Sequence, residues 1–251
     1  MSTHDLQSER HSEKPIVTVI IPCHNHANMV GDAIDSVFLQ DYKKLQIVVV
    51  DDGSIDDPAS VVEKKRGESN IPIYFIQNNE AAGPSAARNV AIQTMWDKTD
   101  LFMMLDADDL YLNNKVPKSV EKYMENPEHI GIVYTDAIIK NIHTKTQIRE
   151  FRRPFDRQEL EKECIISNTP LISKEALGIS GGYDENMRTC EDWDLWLRIT
   201  ESFVAVHIPE AMHVYHVTGK NSSDVVPQEV WQENWAKIRN RILERQNAPS
   251  N

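Results

Sequence analysis

Four apolar runs constrain this chain more than any other feature: IVTVIIP (16–22), LQIVVV (45–50), IPIYFIQ (71–77) and LFMML (101–105). They are rich in β-branched residues and alternate little between apolar and polar, so they read as strands buried on both faces. Helical segments separate them. After the first run, Met29, Val30, Ala33, Ile34, Val37 and Phe38 recur at helical spacing, with Asn28 as the expected cap. VVEKKRGE reads as a short polar helix. GPSAARNVAIQTMW reads as a loop entering a helix, with Ala86, Ala87, Val90, Ala91 and Thr94 on one side. Alternation of this kind predicts an α/β fold with a Rossmann-like, mostly parallel sheet flanked by helices. Ligands bind such sheets at the carboxyl ends of the strands.

Past residue 111 the alternation degrades. KVPKSVEKYMENPE is helical, and IGIVYTDAIIK is a strand whose partner follows the turn at NIHTK. CEDWDLWLRITES is an amphipathic helix carrying Trp193, Leu195, Trp196, Leu197 and Ile199, and FVAVHIP is a further strand. In the C-terminal helix, Val230, Trp231, Trp235, Ile238 and Ile242 form a stripe expected to pack on the core. The expected division is a disordered lead-in (1–14), a ligand-binding lobe (15–111), a smaller second lobe (112–226), and a C-terminal helix and tail (227–251). The two lobes share one sheet.

Composition limits the partners. A net charge of −12 argues against a nonspecific grip on nucleic acid, so any phosphate must be held locally. The three cysteines, Cys23, Cys164 and Cys190, show neither metal spacing nor a disulfide framework, which suits a reducing compartment. No apolar run approaches the ~20 residues of a membrane helix, and the polar N-terminus lacks the apolar core of a signal peptide. The expectation is a cytoplasmic protein whose membrane contact, if any, is peripheral.

LFMMLDADDL then poses a problem. Asp106, Asp108 and Asp109 crowd the end of a buried strand, where like charges disfavour mutual ionisation. A divalent cation removes that cost, and carboxylates with water suit magnesium or manganese. The plainer alternative is a solvated acidic turn. A second acidic strand end, IVVVDDGS, puts Asp51 and Asp52 at the same sheet edge, where a carboxylate can accept hydrogen bonds from a nucleotide. Arg88 sits at a helix start, a poor place for a cation to meet the dipole. It implies an anionic ligand, or an ion pair with a nearby carboxylate such as Asp52. EDWD adds Glu191, Asp192 and Asp194. Residues 191 and 194 share a helix face and could act together, whereas Asp192 points elsewhere. His24 and His26 read as crevice-lining and not as a zinc pair. His213 and His216, three apart, face opposite sides of a regular strand, so both cannot bind one ion.

In order, IVTVIIPCHN, IVVVDDGS, GPSAARN, LFMMLDADD, GGYDEN and CEDWDLWLR resemble the family-2 glycosyltransferases of the GT-A fold, over about residues 15–220. The resemblance implies a nucleotide-sugar donor, most commonly a UDP-sugar, and a divalent cation, Mn2+ or Mg2+. It implies inverting transfer of a hexosyl or N-acetylhexosaminyl group to a hydroxyl on a glycan, lipid-linked or protein acceptor. Residues 15–111 become the donor lobe and 112–226 the acceptor and catalytic lobe. Pro22 and His24 match the end of the first strand beside the base. Asp52 matches the acid that bonds the base, and Arg88 a residue near the base and diphosphate. Asp106 and Asp108 match the DXD pair, the first facing the ribose and the second the metal, with Asp109 a weaker metal candidate. Asp192 matches the catalytic base. Gly182, Glu191 and Trp193 are expected in the wall around sugar and acceptor. His216 is a candidate further metal ligand, and Lys220 a candidate phosphate contact in a closing loop.

Two other classes compete. A sugar-nucleotidyltransferase would carry a glycine-rich basic loop after its first strand, which PCHNHANMV lacks. A non-catalytic GT-A-like scaffold would bind nucleotide without turnover, against which the intact Asp108 and Asp192 argue.

Overall fold

The computed structural model describes residues 14–247. Apart from Lys14, the lead-in expected over 1–14 lies outside them. The strands are β1 (Val17–Cys23), β2 (Leu45–Asp52), β3 (Ile73–Asn78), β4 (Leu101–Met104), β5 (Leu110–Tyr111), β6 (Ile130–Asn141), β7 (Gln147–Glu150), β8 (Leu171–Ser173) and β9 (Val204–Val217). The α-helices are α1 (Ala27–Phe38), α2 (Pro58–Arg66), α3 (Pro84–Met95), α4 (Lys115–Met124), α5 (Arg157–Lys162), α6 (Lys174–Ser180), α7 (Glu191–Ile199), α8 (Ser222–Val225) and α9 (Gln228–Asn247).

All the strands join one sheet in the order β3-β2-β1-β4-β8-β6-β9-β5, with β7 paired on β6. It is mostly parallel: β1 pairs in parallel with β2 and β4, β2 with β3, and β6 with β9. Each antiparallel pairing includes one of the short strands β5, β7 and β8. The pleat explains why the first strands are apolar throughout. In β1, Val17, Val19 and Ile21 join Val30, Ala33, Ile34 and Val37 of α1 on one face. Ile20 joins Ala87, Ala91 and Met95 of α3 on the other. β2 and β4 divide the same way, so helices cover both faces.

The topology creates the crevice. The chain lays β2 and β3 on one side of β1, then places β4 on the other. The order reverses between β1 and β4, and their carboxyl ends open the cleft there. Helix α1 begins two residues earlier than Asn28 as the cap would dictate: its cap position is His26, and the Ala27 N–H donates to Asp56 Oδ2 at 2.9 Å. A side chain from the β2–α2 loop thus replaces the local cap. No helix among the described residues is long and apolar enough to cross a membrane.

The C-terminal stripe also departs from expectation. Ile238 and Ile242 reach the core beside Asn234, whereas Trp235 is 47% exposed and Trp231 only half-buried. The stripe is two rows, of which one packs.

Gly131 of β6 lets the sheet meet the end of α7. A Cβ there would lie 2.6 Å from Phe203 Cβ and 2.9 Å from Ile199 Cγ2. Gly131→Ala should therefore destabilise the fold by about 1–3 kcal/mol through overpacking. Denaturant unfolding would read this as a lower midpoint at unchanged slope.

Candidate active site

One open cleft of about 1680 Å³ runs along the carboxyl edge of the sheet. Its walls bring together Pro22, His24, Asp52, Arg88, Asp106, Asp108, Glu191, Asp192 and Trp193 from segments far apart in the chain. Gly182 and His216 lie outside the wall.

The β1 end is held by its neighbours. His24 Nδ1 lies 2.6 Å from the Asp52 carbonyl. A carbonyl only accepts, so Nδ1 carries the proton and Nε2 accepts from Asn25 Nδ2 at 2.8 Å. The Asp52 carboxylate accepts from Asn78 Nδ2 and from the N–H groups of Ala82 and Gly83, the shortest at 2.7 Å. It faces the cleft yet spends its oxygens fixing the loop into α3. No Arg88–Asp52 pair forms.

Arg88 is 4% exposed and pairs with two other carboxylates. Its Nη2 is 2.7 Å from Asp106 Oδ1, and its Nη1 is 3.1 Å from Glu191 Oε1. The guanidinium lies 5.3 Å from the centre of the Tyr183 ring, which meets Trp196 edge-on. Burial works against its charge, but Asp106, Asp192, Tyr183 and Glu191 outweigh it and hold the pKa above the ordinary value. The anionic partner implied by a cation at a helix start is thus, in this structure, a pair of protein acids.

The three acids after β4 have three fates. Asp106 accepts from Arg88 and from Asn168 Nδ2 at 3.1 Å. Asp109 is fully buried and accepts the His216 N–H at 2.9 Å, stitching the turn to β9. Asp108 faces the cleft, and its nearest basic group is His26 Nε2 at 3.9 Å. Burial, followed by Asp106, pushes the Asp108 carboxyl up. His216 gives its Nδ1 proton to the Asp108 carbonyl at 2.6 Å, so Nε2 is left with a lone pair. No three His, Cys, Asp or Glu converge as a metal cage among the described residues. Magnesium and manganese need no such cage, because one or two protein ligands can be completed by water and phosphate oxygens. The uncompensated Asp108 carboxylate has the chemistry for that role.

Helix α7 separates the acids of EDWD. Glu191 faces Arg88, while Asp194 turns away to Arg198 and Arg241, with oxygen–nitrogen distances of 2.8 and 2.6 Å. The two share no task, contrary to what their spacing suggests. Glu191 and Asp192 are the pair that lines the cleft. Asp192 Oδ1 is buried without a hydrogen-bond partner. Burial and then Glu191 push the Asp192 carboxyl well up, with Arg88 opposing. A carboxylate kept basic and unbonded in a cleft is poised to take a proton.

Trp193 is 8% exposed and donates its indole N–H to the Leu160 carbonyl at 2.6 Å, so it is core and cleft wall at once. The fold itself calls for glycine at Gly182. It has φ +77°, and a Cβ would lie 2.9 Å from Asn89 Oδ1. Sequence reasoning missed Asn168 and Tyr183, which hold Asp106 and Arg88. SNTP carries no periodicity, and Tyr183 read only as a turn residue.

Two outcomes follow. Arg88→Gln would leave Asp106 and Glu191 uncompensated, and it should cost about 3 kcal/mol, the low end for breaking a buried pair because Asp106 is partly exposed. Chemical denaturation would measure the loss. Asp192 binds its proton more tightly folded than unfolded, so its ionisation weakens the fold as pH rises above the ordinary 3.8. Asp192→Asn should therefore melt higher than wild type at neutral pH, with the gain vanishing as pH falls towards that value.

Comparison with known proteins bears on this site. The profile of Glycosyl transferase family 2 matches residues 18–180. An uncharacterized glycosyltransferase of Rickettsia typhi is 31% identical over 201 residues, which are 76% of this chain and 60% of that protein. The chain spans about a third to three fifths of the length of the first curated relatives it matches. Among solved structures, Staphylococcus aureus TarS 1–349 in complex with UDP superposes with a TM-score of 0.69 at 20% identity, covering 94% of this chain and 67% of that one. The mannosyltransferase PcManGT from Pyrobaculum calidifontis, in complex with GDP-Man and Mn2+, superposes with a TM-score of 0.66 at 22% identity, covering 84% and 59%. These likenesses are of fold, the GT-A fold.

Proposed function

The chain belongs to glycosyl transferase family 2, and from that premise we propose that it transfers a sugar from a nucleotide-sugar donor to a hydroxyl acceptor, with inversion and with Asp192 as the base. The observation that carries the reading is the Asp192 carboxyl, buried without a partner at Oδ1, in the same cleft as the open Asp108 carboxylate. One group can accept a proton on the acceptor side, and the other can face the diphosphate. Residues 15–111 serve the donor, and residues 112–226 supply the base and the acceptor wall.

In the proposed step Asp192 takes the proton of the acceptor hydroxyl as that oxygen attacks the anomeric carbon. The bond from that carbon to the diphosphate oxygen breaks, and the electron pair leaves with the nucleoside diphosphate. A single displacement inverts the anomeric centre and needs no covalent enzyme intermediate. A divalent cation, Mn2+ or Mg2+, held by Asp108 with His216 Nε2 as the second candidate atom, would stabilise charge on the leaving group. Asp106 is held by Arg88 and Asn168 towards the ribose. Pro22, His24 and Asp52 border the base. Lys220, on the cleft edge, is suited to a phosphate oxygen. UDP is the proposed nucleotide, supported by the UDP-bound neighbour. The GDP-Man and Mn2+ of the mannosyltransferase support the wider class of donor and metal.

The test is nucleotide release by purified protein with manganese across UDP-, GDP- and dTDP-sugars. Release from one donor, lost on adding EDTA, is expected. Asp192→Asn should lower transfer by about 10²–10⁴-fold while donor affinity stays within twofold of wild type. A variant that keeps its turnover would remove Asp192 from the mechanism.

A further inference from the structure

We propose that the cleft-facing row of α9, Trp231, Trp235 and Arg239, forms with Arg188 an acceptor subsite for a saccharide that carries an acidic group. The proposal rests on the transferase reading and gives the acceptor its chemical class.

Residues 231, 235 and 239 are four apart, so they stack in one row along the helix, and all three line the cleft. The neighbouring row of Asn234, Ile238 and Ile242 is the one buried in the protein. Core packing therefore does not explain the two tryptophans. The Trp235 side chain lies beside that of Cys190, the residue just before Glu191 and Asp192, and both line the cleft. The indole thus stands near the proposed base and is left 47% exposed. An aromatic face exposed in that place suits stacking against the apolar face of a sugar ring.

The platform does not drift relative to the base. Asn234 Nδ2 donates to Thr189 Oγ1 at 2.9 Å, and Arg241 bonds both Asp184 and Asp194 at 2.6 Å. These contacts bolt α9 to the loop that enters α7.

Charge supplies the acidic group. Arg88, Arg152 and Arg241, the other arginines around this end of the cleft, are all paired with protein acids. Arg188 and Arg239 are exposed, line the cleft, and make no side-chain hydrogen bond or ion pair with any described residue. In a chain of net charge −12, two uncommitted guanidiniums flanking one aromatic platform select an anion. Their position on the base side, where the acceptor hydroxyl must stand, assigns that anion to the acceptor.

The experiment follows tryptophan fluorescence of the full chain with UDP and manganese present. The titrants are a tetrasaccharide of alternating glucuronate and N-acetylhexosamine, its carboxyl-reduced neutral counterpart, and a tetrasaccharide carrying phosphate monoesters in place of the carboxylates. Acidic probes should bind about tenfold or more tightly than the neutral one, and the better of the two acidic probes names the acid. Arg239→Gln, a change at an exposed side chain, should erase most of that ratio. Trp235→Leu should weaken acidic and neutral probes alike, with Trp231 reporting. Equal binding of charged and neutral probes, an unchanged ratio in Arg239→Gln, or no binding of any probe would overturn the proposal. So would a concentration-dependent dimer in sedimentation that Trp235→Leu disperses, since a second copy would then occupy the face. UDP binding in the same samples separates the two readings: if UDP binds and the acidic probes fail, only the acceptor subsite falls.

Discussion

Arg88 is the residue through which the two halves of the cleft are joined. It rises from the start of α3, reaches the acidic turn after β4 through Asp106, and reaches the start of α7 through Glu191. The first contact is to the turn after β4 and the second to the helix that carries Asp192. A buried guanidinium with two carboxylates in two directions fixes their separation better than a flexible ammonium would, because its planar fork sets the angle between them. Tyr183 and Trp196 close the space beneath it, so the cation cannot retreat to solvent.

The same arrangement explains how so many acids coexist at one sheet edge. Each has its own means of relief. Asp52 is satisfied by backbone amides, Asp106 and Glu191 by Arg88, Asp109 by the His216 N–H, and Asp194 by two arginines outside the cleft. Burial raises the proton affinity of Asp108, Asp109 and Asp192 alike, but Asp109 is tied to β9 outside the cleft wall, so Asp108 and Asp192 are the raised acids that face the cleft. Part of the electrostatic cost therefore falls on the two cleft-facing groups to which the proposed chemistry gives work, while Asp109 carries its share inside the fold.

The second half of the chain builds the other wall by a different logic. Strand β9 runs parallel to β6 through two register shifts near Asp136, and it delivers both His213 and His216 to buried positions. The register is regular from His213 to His216, so the two turn to opposite faces of the strand, as their spacing implies. Helix α9 is held by polar bonds to the 184–190 loop as much as by its buried isoleucines. Polar fastening of that kind leaves one side of the helix free to meet a ligand.

Strand and helix order, the parallel character of the first half, and the candidate acids at the strand ends were all legible in the residues, because burial on both faces and helical spacing leave a local pattern. Family resemblance added roles to Asp106, Asp108 and Asp192 that spacing could not. Other features needed the fold. The start of α1 depends on Asp56, which lies 29 positions from Ala27 in the β2–α2 loop and bonds its N–H. The pairing of Arg88 with Asp106 and Glu191, not with Asp52, depends on how α3 and α7 meet over the sheet. Whether Trp235 packs inward or opens on the cleft depends on which row of α9 faces Ile238's neighbours. A sequence determines what each residue would pay to be buried and which face of its own element it shares. Which distant charge it meets is decided only when elements pack, because ion pairs and hydrogen bonds act over a few ångström and carry no trace in the order of the chain.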